Sequence, residues 1–447
     1  MPEPDTDYPL QMTTTVPYTN NVPPTNSAPR GRAPSAPVGL GLFVSPEAFT
    51  VFTIIMMTSA FYFLFIGPAD VKEAVSSTAR NNPVYMGLWL VLYAWAARLV
   101  ARDVMERGIS RGALPLMIFS ALVVVSMFWS MSPKRTLLYG GMLVANFLVG
   151  YALAASMPPA RFLSVLGRTI AVLLFASFIL ILVDPDMATS ERWGGAWLSD
   201  RQYQGVFAHK SDAGYYFAVL SLILAHGRFP RPMPIVRTVL FMLTVFAIVI
   251  ANSATALAAA IVLNGLLVLA DRAGPLRRAI LPMIFFGVLI FSIVLPMIDI
   301  GSLAGMLGRD PGLTGRVPIW EAGFPFINAK PWLGYGFYGF FDLSTYSPVW
   351  DLWKQFQYFK TPHFHNTGLE MLMSLGIVGL IAYLGVTASS ATILGNTTID
   401  ISDRNLLAAI LSLFLISAAF DYTLMKHITF STTFLAYVCV AAQRVYR

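Results

Sequence analysis

Long uninterrupted apolar runs dominate the chain from about residue 40 onward, with short polar breaks between most of them. A helix that crosses a membrane needs roughly 20 predominantly apolar residues. Runs of about that length lie near 47–67, 84–101, 113–131, 137–156, 165–183, 211–227, 235–252, 253–270, 278–298, 365–386, 404–421 and 428–443. They are continuously apolar and do not alternate, which predicts helices and not the strands of a membrane barrel. The expected fold is all-α: a polytopic membrane protein with about twelve transmembrane helices. The pair meeting at Ala251–Thr255 is joined so tightly that it admits another reading.

Two long polar segments interrupt this pattern, 184–210 and 299–364. The second is a large loop between the ninth and tenth helices. Residues 1–38 are rich in Pro, Ser, Thr and Asn and hold no apolar run. They read as a disordered tail ahead of a membrane domain at 39–447. No apolar stretch follows a basic start there, so no cleaved secretion signal is expected.

Composition agrees with the pattern. Of 447 residues, 56% are hydrophobic and 12% charged, about half the charge of an ordinary soluble domain. So little charge cannot cover a water-soluble surface of this size, and the surplus apolar surface must face lipid. A cytosolic enzyme, a nucleic-acid module and a disordered scaffold are excluded. Cys439 stands alone in an apolar run, which leaves no internal disulfide and no cysteine-based metal site.

The net charge of +7 must first be corrected for the positive-inside bias. With the tail in the cytoplasm, the arginines at 98–111, 161–168, 228–237 and 272–278 all fall inside. The short outer loops then hold only Lys72, Arg80, Lys134, Arg135 and Lys426. Both termini are therefore expected in the cytoplasm, and both long segments outside. Long loops escape the charge rule, so the arginines in them need another reason.

Candidate chemistry follows from those segments. Arg201, His209 and Lys210 precede an apolar helix start, a place that suits an anionic phosphate. Ion pairs to Asp200 or Asp212 would also explain them. The larger segment carries Gly315-Arg316 and Trp320-Glu321, then Pro331-Trp332-Leu333-Gly334-Tyr335-Gly336. Val317–Ala329 is expected to form a short amphipathic helix with Pro318 in its first turn. Its aromatic faces and glycine turns suit a sugar or a lipid headgroup, although an aromatic belt would look similar.

The third cluster is Pro362-His363-Phe364-His365-Asn366, followed by Glu370. A histidine at a helix mouth can serve as a general base near neutral pH, and a carboxylate at the membrane boundary is costly enough to suggest function. His363 and His365 flank Phe364 and would face one side of an extended chain. That suits a pair of metal ligands, but no carboxylate stands with them and no metal is assigned. Asp421 ends the eleventh span and could pair with Lys426 or an arginine; it receives no role.

In this order, Thr314-Gly315-Arg316, Trp320, Pro331-Trp332-Leu333-Gly334-Tyr335-Gly336, His365-Asn366 and Leu375-Gly376-Ile377-Val378-Gly379 resemble the O-antigen ligase / Wzy-type polymerase superfamily, including exopolysaccharide polymerases of the succinoglycan type. Trp129–Pro133 and the Arg201 to Lys210 stretch add to the likeness, which spans roughly residues 125–385. The resemblance implies a GT-C-like glycosyltransferase of the bacterial inner membrane, independent of metal and of other cofactors, with a periplasmic site. It implies a donor glycan on undecaprenyl diphosphate, a glycan or lipid-linked acceptor, surrounding membrane lipids, and no nucleic acid. A chain-length regulator and a flippase are candidate partners.

His365, Arg316 and Arg201 would then be catalytic. Lys210, His209, Trp320, Glu321, Gly334, Gly336, His363, Asn366 and Glu370 would bind substrate. Whether His363 or His365 is the base stays open. Polymerisation of repeat units is the leading expectation. Ligation of glycan to lipid A-core is the alternative, and a non-catalytic flippase a more distant one.

Overall fold

The computed structural model describes residues 45–65, 82–191, 201–226, 234–272, 277–298, 315–344, 347–356 and 361–446. The tail and the first part of the large loop, with Thr314, lie outside the described residues.

Each expected span falls on a helix. They are α1 (Pro46–Met57), α2 (Pro83–Arg107), α3 (Leu114–Val125), α4 (Pro133–Ser156), α5 (Pro159–Val183), α6 (Lys210–His226), α7 (Pro234–Ile250), α8 (Ala254–Arg272) and α9 (Arg277–Val294). The large loop contributes α10 (Arg316–Ala329) and α11 (Val349–Gln355), and the chain ends with α12 (Thr367–Ser390), α13 (Ile401–Phe420) and α14 (Phe430–Ala441). Six helical segments are long and apolar enough to cross a membrane. The shorter apolar ones include α1, α7 and α14. One small exception to an all-helical fold is an antiparallel ribbon of β1 (Thr189–Glu191) and β2 (Arg201–Tyr203), with Glu191 opposite Arg201.

The expected span at 47–67 is cut short. After α1 the chain turns through Ser59 and Phe61, both left-handed, and the Phe61 N–H donates to the Val206 carbonyl (2.9 Å). The tight join at Ala251–Thr255 proves to be a turn between two helices, with Asn252 left-handed.

Helix α14 is buried along its whole length and packs along α4. Helix α13 is 83% buried over its most apolar window, whereas α2 is only 17% buried. On α5, Val172, Phe175, Ile179 and Leu182 are exposed. Their spacing of three and four residues draws one stripe down the helix. On a helix long and apolar enough to cross a membrane, an exposed apolar stripe of this kind suits lipid. The fold is that of a multi-pass membrane protein.

Helix α12 breaks at Gly376, where φ is 64° and ψ −160°. The turn after α10 fills the break. Ile377 N–H donates to Pro331 O (2.8 Å), Val378 N–H to Trp332 O (3.3 Å), and Tyr335 N–H to Met373 O (2.9 Å). A Cβ at Gly376 would meet the Trp332 backbone at 2.3 Å, so only glycine allows both the left-handed turn and this close approach. The backbone clasp fixes the element that carries Arg316 to the one that follows His365.

Candidate functional site

The loop Thr361–Asn366 is held from several sides before any chemistry is considered. Trp320, fully buried on α10, donates its indole N–H to Phe364 O (2.7 Å). Trp353 on α11 donates to Thr361 O (3.1 Å). The Glu370 carboxylate accepts the Phe364 N–H. Asn366 caps α12, its Oδ1 accepting from Leu369 N–H (2.9 Å), and its amide nitrogen donates to Ser292 O and Ala419 O. Thus Trp320, Asn366 and Glu370, expected to meet substrate, direct their polar groups to backbone around the histidines.

These anchors bring His363 and His365 to a ring-centroid separation of 4.1 Å. The rings meet by a route other than the expected extended chain: His365 has φ +52°, and its N–H donates to His363 Nδ1 (3.2 Å). A non-glycine residue in that conformation costs about 1–3 kcal/mol. Tyr338, Met425 and Ile428 are also left-handed. Tyr338 lies 4.8 Å from His427 and 5.7 Å from Tyr422, ring to ring. His363 in turn lies 6.2 Å from Tyr422, ring to ring, so the left-handed Tyr338 and His365 border one aromatic cluster.

Asp421, at the end of α13, completes the cluster. Its Oδ1 is 3.4 Å from His365 Nδ1 and 3.9 Å from His363 Nε2, and it accepts the Tyr422 N–H (2.7 Å). The adjoining Phe420 carbonyl accepts from Arg316 Nε (2.8 Å). Arg316, the first residue of α10, is thereby set beside the same helix end as Asp421.

Burial works to raise the Asp421 carboxyl, but the facing His365 imidazole and the charges of His363 and Lys426 outweigh it and hold the group well below the usual carboxylate range. Burial pushes the His363 imidazole well below its ordinary value; the Lys426, His365 and Arg316 charges add to this and Asp421 opposes it. Desolvation also lowers His209, with Asp421 opposing and Lys210, His365 and Lys426 reinforcing. The field at His209 is thus that of the same cluster.

The other expected residues are placed as follows. Lys210 starts α6. The backbone of Arg201 is in β2; its side chain lies outside the described residues. Glu321 is exposed on α10. Gly334 and Gly336 form left-handed turns, pressed against Met373–Leu375 and Ser130 respectively. Asp421, Lys426 and Tyr422 were not expected to matter. The available signal for Asp421 was topological: an ionisable residue ends a span on the side where His365 begins another.

The arrangement is a general base candidate oriented by a carboxylate, with a guanidinium fixed alongside, at one end of an all-helical membrane bundle. An imidazole facing a carboxylate, with a cation close by, is chemically able to move a proton next to an anion. Residues 239–384, from α7 into α12, match the family model described as O-antigen ligase. Arg316, His363 and His365 lie inside that match; Arg201, Lys210 and Asp421 lie outside it. The chain is also 26% identical over 315 residues to the exopolysaccharide production protein ExoQ of Rhizobium meliloti (strain 1021), across 66% of this chain and 67% of that protein. The expected likeness to the O-antigen ligase and Wzy-type superfamily holds. Function of the O-antigen ligase or polymerase type, in a membrane glycosyltransferase-like enzyme, is the coarse conclusion.

Proposed function

We propose that this protein polymerises undecaprenyl-diphosphate-linked oligosaccharide repeat units into exopolysaccharide or O-antigen, by inverting glycosyl transfer that needs no metal. One observation carries the proposal: His365, Asp421 and Arg316 are brought to one place, from the start of α12, the end of α13 and the start of α10. The protein would sit in the bacterial inner membrane in a GT-C-like fold of about twelve crossings, termini in the cytoplasm and site in the periplasm.

A lipid diphosphate is already a good leaving group. The acceptor hydroxyl attacks the anomeric carbon, and the bond from that carbon to the diphosphate oxygen breaks. The diphosphate leaves with the electron pair, and the hydroxyl proton passes to His365. Asp421 facing Nδ1 selects the tautomer that leaves Nε2 to accept the proton, as carboxylates do for catalytic histidines elsewhere. Arg316 meets the charge growing on the diphosphate, where a pre-placed cation acts most strongly. Single displacement inverts the anomeric centre. Arg201, Lys210 and His209 would hold the rest of the donor's charge.

Ligation to lipid A-core shares this chemistry and differs only in the acceptor; the description of the matching family names a ligase, and the relative's name speaks of exopolysaccharide production. Purified protein given lipid-diphosphate oligosaccharide should lengthen it, and Arg316→Ala or His365→Ala at equal membrane levels should not. Transfer at wild-type rates by either variant overturns that residue's role. In a deletion strain, single repeat units left on the carrier mean lost polymerisation, and long carrier-bound chains mean lost ligation.

A further inference from the structure

His363, His365 and Asp421 each offer a ligand atom, and these atoms all lie within 4.8 Å of one another. Nitrogen and oxygen ligands about 2.0–2.2 Å from a tetrahedral zinc ion stand roughly 3.3 Å apart. The Asp421 Oδ1 to His365 Nδ1 distance is already 3.4 Å. His363 Nε2 is 3.9 Å from the same oxygen, so coordination asks the two rings to draw in from their present spread of up to 4.8 Å. His365 Nδ1 is a buried nitrogen that faces the Asp421 carboxylate. The third ligand, lacking in the local sequence, arrives from another helix.

We propose that His363, His365 and Asp421 form a binding site for a late first-row divalent cation, zinc above all. Two imidazoles and one carboxylate leave a fourth position open for water or a phosphate oxygen. Imidazole nitrogen favours zinc and its neighbours in the row, whereas magnesium and calcium ask for oxygen ligands. The site has a built-in cost. Coordination through His363 Nε2 puts that ring's proton on Nδ1, so the 3.2 Å contact from the His365 N–H must open. Binding is therefore reversible and weaker than at a preformed structural zinc site. Its consequence rests on the transfer reaction proposed above: zinc on His365 takes the nitrogen that Asp421 would otherwise orient, and the base is lost. Zinc would inhibit, and a chelator would restore, an enzyme whose own chemistry uses no metal.

The test is zinc titration of the full-length protein in detergent, stripped by chelator, followed by calorimetry without any glycan. One zinc per chain is expected, with magnesium giving no heat. His363→Ala and Asp421→Asn should each weaken binding by more than about 100-fold, since loss of a ligand exceeds the 10–100-fold typical of its outer partners. His226→Ala, at the other end of α6, should bind as wild type. Thermal melting confirms that each variant is folded; should Asp421→Asn fail, His363→Asn serves. No zinc binding by the wild type, or equal binding by the His363 variants, overturns the proposal. Zinc bound in this pattern establishes the site whatever the transfer assay gives. Continued transfer by the zinc-loaded protein would instead remove His365 from the base role.

Discussion

Helix α14 separates two carboxylates, one buried and one half-buried, that the fold treats in opposite ways. Beyond its C-terminal end, Asp103 pairs with Arg444, their side chains 6% and 10% exposed. Asp103 also receives the Tyr151 hydroxyl (3.2 Å) and faces Arg107 at 3.5 Å. Before its N-terminal end, Asp421 faces two imidazoles, with a guanidinium held one residue away. Guanidinium groups stay charged at any working pH, so the first carboxylate is locked in a permanent brace between α2 and the chain end. Imidazole can take or give a proton, so the second has partners able to change state. Burial alone therefore does not mark a functional acid. The nature of the facing group does.

That contrast can be broken most directly at His365. His365→Ala should cut glycosyl transfer by roughly 10²–10⁴-fold, the range that general-base catalysis supplies, while the thermal midpoint of the purified protein stays close to wild type. A variant that melts early would make His365 another brace. Asp103→Asn tests the opposite case. It leaves Arg444 buried without its counter-charge and should cost about 3–5 kcal/mol of stability, read as a lower melting temperature, with transfer per folded molecule retained.

Arg316→Lys sharpens the comparison. It keeps the charge but loses the planar fork held on Phe420 O, so transfer should fall by roughly 10²–10³-fold, the scale of one lost donor to developing charge, with little change in melting. The smallest effect is expected from Trp320→Phe. It strands the Phe364 carbonyl and should cost about 1–3 kcal/mol, lowering both stability and transfer because the histidine loop loses an anchor. If transfer falls with no loss of stability, Trp320 touches substrate instead.

The two strained glycine positions show how the site is kept rigid. Gly334 and Gly376 let backbone meet backbone where any side chain would intrude. The glycine motif was legible in the sequence, but its part in joining α10 to α12 was not. Trp320, Asn366 and Glu370 tell the same story. Their residue types suggest ligand contact, yet each spends its polar group on the chain around His363 and His365.

Sequence alone determined that the apolar runs are helical and roughly where most of them lie, because continuous apolar runs favour helices in lipid; the early end of α1 and the short α11 came from the structure. It also singled out His363, His365 and Arg316, because polar residues are rare enough in such a chain to stand out. Only the tertiary structure decided which of them meet. Asp421 is 56 positions beyond His365, and no local pattern links the cap of one helix to the mouth of another. Helix packing made them neighbours, and the polar groups already consumed by backbone could be told from those facing chemistry only once every partner was in place.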